Sequence, residues 1–303
     1  MPSLNLERMR EHARAIVVRA GEYTRTRYGK VRLQRKFFDG LSHAGDIKPY
    51  LAQAVSSVDF ESQGIVLQGL REQGYHHDIG MLAEEHTRDV DDFATVSKHR
   101  WVLDSLDGSL NFALSNPKEH ARLERELGIK ISVRPQCYAV SLSLQEQDSG
   151  AFLLSLVYLP MLDELFEAVK GQGAWKNGRP LHMKHTDAPL YRPQQRIALN
   201  SKSDALKPLF RRHVQPNSTA YSITGVAAGK HSAFIAQNSY LHDFGPPSLI
   251  VSEAGGYNSN AQGRVLNYRS VDDEGKCPFL ICGPNADYNS DLIKMIQREQ
   301  HGF

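Results

Sequence analysis

Residues 101–112 read WVLDSLDGSLNF, and the fold turns on how that stretch is read. A short apolar strand, Trp101-Val102-Leu103, delivers two carboxylates, Asp104 and Asp107, and Gly108-Ser109 follow at once. Carboxylates held close repel one another and resist loss of hydration unless a cation sits between them. Mg²⁺ uses a few such carboxylates together with substrate phosphate. Gly108 lets the backbone approach a ligand closely. A helix starting there would turn the N–H groups of Gly108 and Ser109 toward an anion. Two readings follow: a metal-assisted phosphate site, or a solvated DxxD turn that caps a helix. The rest of the chain decides between them.

The flanking sequence sets size and setting. A chain of 303 residues holds one large domain or two compact ones. Its 36 basic residues nearly balance 34 acidic ones, so no field points to a nucleic acid polymer as partner. The histidines are scattered without HExxH spacing, which gives no zinc case. Cys137, Cys277 and Cys282 form no CxxC pair, and so sparse a set fits reduced thiols in a cytoplasmic protein. The first turns mix Glu, Arg and His where a signal peptide would be apolar. No apolar run has transmembrane length, so no membrane partner is expected.

Apolar side chains at helical spacing over 5–28 (Leu6, Met9, Ala13, Ile16, Val17, Ala20) predict an amphipathic helix. The basic run 30–36 reads as a solvated connection, with Lys36 as a phosphate contact the alternative. A second helix is predicted over 52–73, stopped by Gly74 and carrying Asp59 and Glu61. A short strand over 79–83 ends at Glu84-Glu85. The charged stretch 116–136 has helical spacing and reads as a solvated surface helix, with a lid or an oligomer contact as alternatives. Strands over 137–144 and 151–158 make a hairpin around Asp148-Ser149-Gly150, another strand covers 164–169, and Asn177-Gly178 is a hairpin turn. Gly171 and Gly173 lack a third glycine and a following helix, so they read as a structural turn rather than a nucleotide loop. Polar, Pro-bearing sequence over 185–195 suggests a boundary between an N-terminal domain, 1–185, and a C-terminal domain, 186–303. The second half reads as strands at 196–199, 232–236 and 279–283, with helices at 202–213, 222–230, 248–254 and 286–297.

Three strand-to-turn junctions therefore end in acids: Glu84, Asp104 with Asp107, and Asp243 at a helix start. Converging, these carboxylates would hold about two or three divalent ions. AEE (83–85), LDSLDGSLNF (103–112), GQGAWKNGRPL (171–181) and HDFGPPSLIVSEAGG (242–256) occur in that order. Together they resemble the inositol monophosphatase family, the Mg²⁺-dependent, lithium-sensitive superfamily that also takes in fructose bisphosphatases and 3′-phosphoadenosine phosphatases. The likeness runs over 6–296.

The resemblance implies an α+β fold, a layered αβαβα sandwich with the metal site between its halves, and commonly a homodimer. It implies Mg²⁺ (Mn²⁺ as an alternative) held by Glu84, Asp104, the Leu106 carbonyl, Asp107 and Asp243, with the amides of Gly108 and Ser109 on the phosphate. The segment VSSVD (55–59) resembles the family's VTxxD, which pairs Asp59 with Ser109 to orient and deprotonate the attacking water, with Glu84 assisting. Ser218, Ser222 and His242 fall at substrate-contact positions. Departures bear on the substrate. His242 replaces the usual Trp, Ser222 replaces an Asp that contacts a ring hydroxyl, and Ala236 replaces a substrate-binding Glu. The implied reaction is hydrolysis of a small phosphate monoester, an inositol-phosphate-like polyol or a sugar phosphate. The alternatives are 3′-phosphoadenosine 5′-phosphate, fructose-1,6-bisphosphate, or a catalytically weak member that serves as a binding protein.

Overall fold

The computed structural model describes residues 4–32, 56–183, 192–269 and 275–300. Helix α1 (Leu6–Arg27) forms on the predicted spacing, with Asn5 as its cap and Met9, Ala13, Ile16, Val17 and Ala20 buried. Helix α2 (Ser57–Glu72) starts at a capping box in which Asp59 Oδ2 accepts the Ser56 N–H at 2.8 Å. The earlier start expected for this helix lies outside the described residues, as do Lys36 and the 185/186 boundary.

Both helices cover one face of a seven-stranded sheet. Its strands run in chain order: β1 (Gly80–Ala83), β2 (His99–Asp107), β3 (Ala139–Glu146), β4 (Phe152–Leu159), β5 (Glu164–Val169), β6 (Gly173–Lys176) and β7 (Arg179–Leu181). The β1–β2 pair is parallel and the others are antiparallel. Val66, Leu67 and Leu70 of α2 pack with Trp101, Leu103 and Leu142 beneath them. Arg14 of α1 forks onto the buried carboxylate of Glu167 at 2.9–3.0 Å, tying the helix to β5. The Gly171 and Gly173 turn is structural: their N–H groups donate to Glu253 at 2.9 and 3.0 Å.

A second, mixed sheet has the order β11-β12-β10-β8-β9. Its strands are β8 (Ile197–Leu199), β9 (His213–Val214), β10 (Ala233–Tyr240), β11 (Tyr257–Ser259) and β12 (Lys276–Gly283). Two helices, α5 (Thr219–Ala227) and α6 (Leu241–Glu253), fill the space between the sheets. Their Ile223, Phe244 and Ile250 join Val102, Val157 and Phe166 of the first sheet to Phe234, Leu280 and Cys282 of the second in one core. Helix α7 (Ala286–Gln300) covers the far face through Leu292 and Ile296. The layers are thus helix, sheet, helix, sheet, helix, the αβαβα sandwich that the resemblance implies. Short α3 (Ser109–Ala113) and α4 (Pro117–Leu127) follow β2. The surface helix expected within 116–136 is α4, pinned by buried Leu123 against Leu114 and Ile131.

Four local expectations change. Strand β2 does not stop at its first acid but runs through Asp107, because a bulge between Asp104 and Asp107 keeps it paired with β3. The helix expected over 202–213 is a 3₁₀ stretch, Ser201–Leu209, kinked at Ser203 and holding Pro208, followed by β9. Helix α5 begins at Thr219, since Ser218 caps it by accepting the Tyr221 N–H at 3.2 Å. Helix α6 begins at Leu241 although Pro246 and Pro247 lie inside it. Burial of Leu241, Phe244 and both prolines between the sheets outweighs the lost helical hydrogen bonds.

Candidate active site

The β2 bulge builds the first part of the site. Asp104 pairs with Ser141 and Asp107 with Ala139, so two residues, Ser105 and Leu106, stand against one. Ser105 Oγ donates to the Asp59 carbonyl at 2.9 Å, and Ser62 Oγ to the Ser105 carbonyl at 2.8 Å, which stitches α2 to the bulge. Gly108 follows at φ +97°, and a Cβ there would lie 2.8 Å from the Cys137 carbonyl oxygen, so neither conformation nor space admits a side chain. Asn111 holds the surrounding loops. Its Nδ2 donates to the carbonyls of Cys137 and Pro216 at 2.7 and 2.6 Å, and its Oδ1 accepts the Arg134 N–H at 3.1 Å.

Asp59 and Ser109, fifty positions apart in sequence, meet here: Ser109 Oγ lies 2.5 Å from Asp59 Oδ1. The same hydroxyl is 2.9 Å from the Leu106 carbonyl oxygen, but its one proton makes the stronger bond to the carboxylate. Burial pushes the Asp59 carboxyl up to about 6, against the pull of Ser109 and Ser56, which favour its charge.

Four more carboxyls gather beside this pair. Glu84 extends the β1–β2 ladder, its N–H donating to the Leu103 carbonyl at 3.1 Å. Glu84 as a residue is exposed to solvent. Protein nevertheless surrounds the carboxyl closely enough that desolvation, then the charge of Asp243, holds it well above the usual carboxylate range. Asp104 is buried and raised by desolvation, then by Glu84, Asp107 and Asp243. A hydrogen bond links the Glu84 and Asp104 carboxyls, and both are held well above the usual carboxylate range. Desolvation and Asp243 push Asp107 up to about 7. Asp243 itself, the third residue of α6, is pushed by burial to about 6, with Lys202 pulling the other way.

Asp107 also ties the halves of the molecule together. Its Oδ2 accepts from Ser218 Oγ at 2.5 Å and Ala220 N at 2.6 Å, and its Oδ1 from Thr219 N at 3.1 Å, so it sits on the N-terminus of α5. No three acidic, histidine or cysteine side chains among the described residues stand at the mutual spacing of a metal site. The donor chemistry nonetheless fits a hard divalent cation. The donors are oxygen-only, Asp104 and Asp107 are buried, and Asp243 raises Glu84, Asp104 and Asp107 while Lys202 opposes the rise of Asp243 itself.

Three expected substrate contacts differ in posture. Ser218 is buried and spends its hydroxyl on Asp107. Ser222 is buried and turns its hydroxyl back onto the Ser218 carbonyl at 2.6 Å. His242 is mostly buried with Nε2 3.2 Å from Asp243 Oδ1, and desolvation lowers it to about 4. Its imidazole stacks on Tyr240, with ring centres 5.2 Å apart. Asn111, Tyr240 and Lys202 are neighbours the sequence reading passed over. Asn111 alone left a trace, inside the quoted SLNF stretch.

The chain matches the inositol monophosphatase family over residues 5–289. It is 26% identical to the inositol-1-monophosphatase of Rhizobium meliloti over 261 residues, 82% of this chain and 84% of that one. It is 28% identical to the Nus factor SuhB of Salmonella typhimurium over 222 residues, 69% of this chain and 72% of that one. The solved Thermotoga maritima IMPase superposes with a TM-score of 0.71 at 19% identity, covering 96% of this chain and 97% of that one. A five-layer sandwich with acids gathered where β1, β2 and α6 meet is thus matched along nearly its whole length, and the chain belongs to the inositol monophosphatase family, phosphatases that hydrolyse phosphate monoesters.

Proposed function

We propose that this protein hydrolyses a small phosphate monoester with Mg²⁺, through water activated beside the Asp59–Ser109 pair. The contact between those two side chains, 2.5 Å apart next to the acidic group, carries the reading. Glu84, Asp104, the Leu106 carbonyl, Asp107 and Asp243 would hold two or three ions, with Mn²⁺ as a substitute. When bound, such ions lower the pKa of water and stabilise charge on the leaving oxygen.

The chain's own residues do the rest. Asp59, with its carboxyl near 6, is ionised at neutral pH and stays basic enough to draw a proton through Ser109 Oγ. Glu84, just beyond the end of β1, would assist the same base. The amides of Gly108 and Ser109 hold the phosphate oxygens, and the missing Cβ at Gly108 lets the turn pack against the Cys137 and Asn217 carbonyls at a left-handed φ of +97°. Ser218 fixes Asp107, and His242 closes the wall beside Asp243. The same reading carries inhibition by lithium, a homodimeric state and a cytoplasmic setting, in line with the family resemblance.

Phosphate release with and without Mg²⁺ tests this, across inositol-1-phosphate, fructose-1,6-bisphosphate, 3′-phosphoadenosine 5′-phosphate and β-glycerophosphate, with Asp104→Asn as control. Mg²⁺-dependent turnover lost in that variant is expected. No turnover of any substrate by protein that binds Mg²⁺ would leave a binding role instead, in keeping with the Nus factor names of some relatives.

A further inference from the structure

A hydroxyl beside the acidic group stands without a partner. Ser141, on β3, is wholly buried, and its Oγ makes no hydrogen bond among the described residues. A hydroxyl taken out of water unpaired costs free energy, so buried ones are nearly always bonded. The neighbouring serines obey that rule. Ser62 donates to the Ser105 carbonyl, Ser105 to the Asp59 carbonyl and Ser155 to the Pro246 carbonyl. Ser141 stands opposite Asp104 in the β2–β3 ladder, the last pair before the bulge. Residues so paired project to the same face with Cβ atoms about 4.5–5.5 Å apart, which puts a serine hydroxyl within reach of its neighbour's carboxyl. The face is the inner one. Val102, two residues before Asp104, and Val157, the β4 partner of Ser141, both belong to the core between the sheets. Helix α6 is fastened to that face through Ser155 and Pro246, and Asp243 lies about one turn before Pro246. Ser141 thus shares with Asp104 the face over which α6 brings Asp243.

We propose that Ser141 is a positioning residue, whose hydroxyl donates to the Asp104 carboxylate when Asp104 turns to hold a divalent cation and so fixes the aim of that ligand. This rests on the metal-assisted reading above. Here Asp104 is bonded to Glu84, and its Oδ1 accepts the Leu106 N–H at 3.1 Å. An ionised carboxylate offers about four lone-pair sites. Those that do not face the ion take donors from the protein, which set the carboxylate's angle. The Ser141 proton, engaged nowhere else, is placed to be one of them. A serine kept only for the scaffold would spend its proton on a carbonyl or a second hydroxyl. Ser143, two residues further along the same face, does this: its Oγ lies 2.7 Å from Ser155 Oγ.

Calorimetric titration with Mg²⁺ at pH 7.5, beside melting temperature in EDTA, tests this on wild type, Ser141→Ala, Ser141→Cys and Ser143→Ala. Ser141→Ala should weaken Mg²⁺ binding about tenfold, at the low end of what partners behind metal ligands contribute. Ser141→Cys keeps a similar shape with a much weaker donor and should weaken it as well. In EDTA, Ser141→Ala should melt at or above wild type, since the hydroxyl it removes has no partner to lose. Ser143→Ala should behave in reverse, with a lower melting temperature in EDTA and unchanged Mg²⁺ affinity, because its hydroxyl is already bonded. Phosphate release by Ser141→Ala should climb back toward the wild-type kcat as Mg²⁺ is raised. Affinities within about twofold of wild type in both Ser141 variants overturn the role. A loss of melting temperature in EDTA for Ser141→Ala as large as that for Ser143→Ala also overturns it, and assigns Ser141 to the scaffold. Wild type that binds no Mg²⁺ would overturn the metal reading of the site and this role with it, and the wild-type titration alone tells that failure from the others.

Discussion

Ser109 makes a single short contact to Asp59, and that contact separates two roles a hydroxyl can play. As a structural group, Ser109 adds one charge-assisted bond to Asp59, whose other oxygen is already held by Ser56. As a proton relay it governs the chemical step. Ser109→Ala should cost about 10²–10³ in kcat with KM little changed, while melting temperature stays within a few degrees of wild type. Steady-state kinetics beside thermal denaturation checks this. An equal fall in stability and rate would assign Ser109 to the scaffold. Asp59→Asn should be at least as inactive, since an amide leaves the water without a base.

At the level of elements, the loops around Gly108 depend on Asn111. It joins α3 to the loop leading into β3 and to the chain entering α5. Asn111→Ala strands two buried carbonyls and one N–H, which should cost about 2–3 kcal/mol in urea unfolding and raise KM by loosening the walls of the glycine turn. A cost below about 0.5 kcal/mol would show that water replaces the amide. Elements were legible where local chemistry and packing agree. Helix α1 follows its apolar spacing, and the β6–β7 turn follows Asn177-Gly178, both in the left-handed region that a two-residue hairpin turn demands. They were illegible where packing overrides local preference. Pro246 and Pro247 argue for a late start to α6, and only its place between two sheets explains the early one. The same division holds for the site. The DSLDGS stretch announces itself because acids and a glycine end an apolar strand. The seat of Asp107 on α5 and the pairing of Asp104 with Ser141 join residues far apart in sequence, and no local pattern encodes them.

At the scale of the whole molecule, the gathered carboxyls make stability depend on pH and on cations together. Folding raises Asp243 to about 6 and Asp107 to about 7, and lifts Glu84 and Asp104 well above their ordinary values. Between the unfolded values near 4 and these raised ones, the folded chain holds protons the unfolded chain has released. Stability of the metal-free protein therefore falls as pH rises from about 4 through the raised values of these carboxyls. Carboxylates paired elsewhere act in the opposite sense: Glu164, held down by Lys176 and Lys230, loses its contribution as pH drops. The contribution of the site is thus read as a difference between wild type and Asp104→Asn, where the repulsion of that carboxyl by Glu84, Asp107 and Asp243 is gone. A divalent cation competes with those protons, so its stabilising effect should grow over the same window. At about a hundred times its dissociation constant, Mg²⁺ adds about 2.7 kcal/mol. For a chain of this size that is several degrees of melting temperature near pH 7.5, and much less at pH 5. Calorimetric scans at both pH values, with EDTA or with Mg²⁺, read the effect directly. The Mg²⁺ shift should be large only at the higher pH and largely lost in Asp104→Asn. Equal shifts at both pH values, or a full shift in the variant, would mean that the ion binds away from these carboxyls.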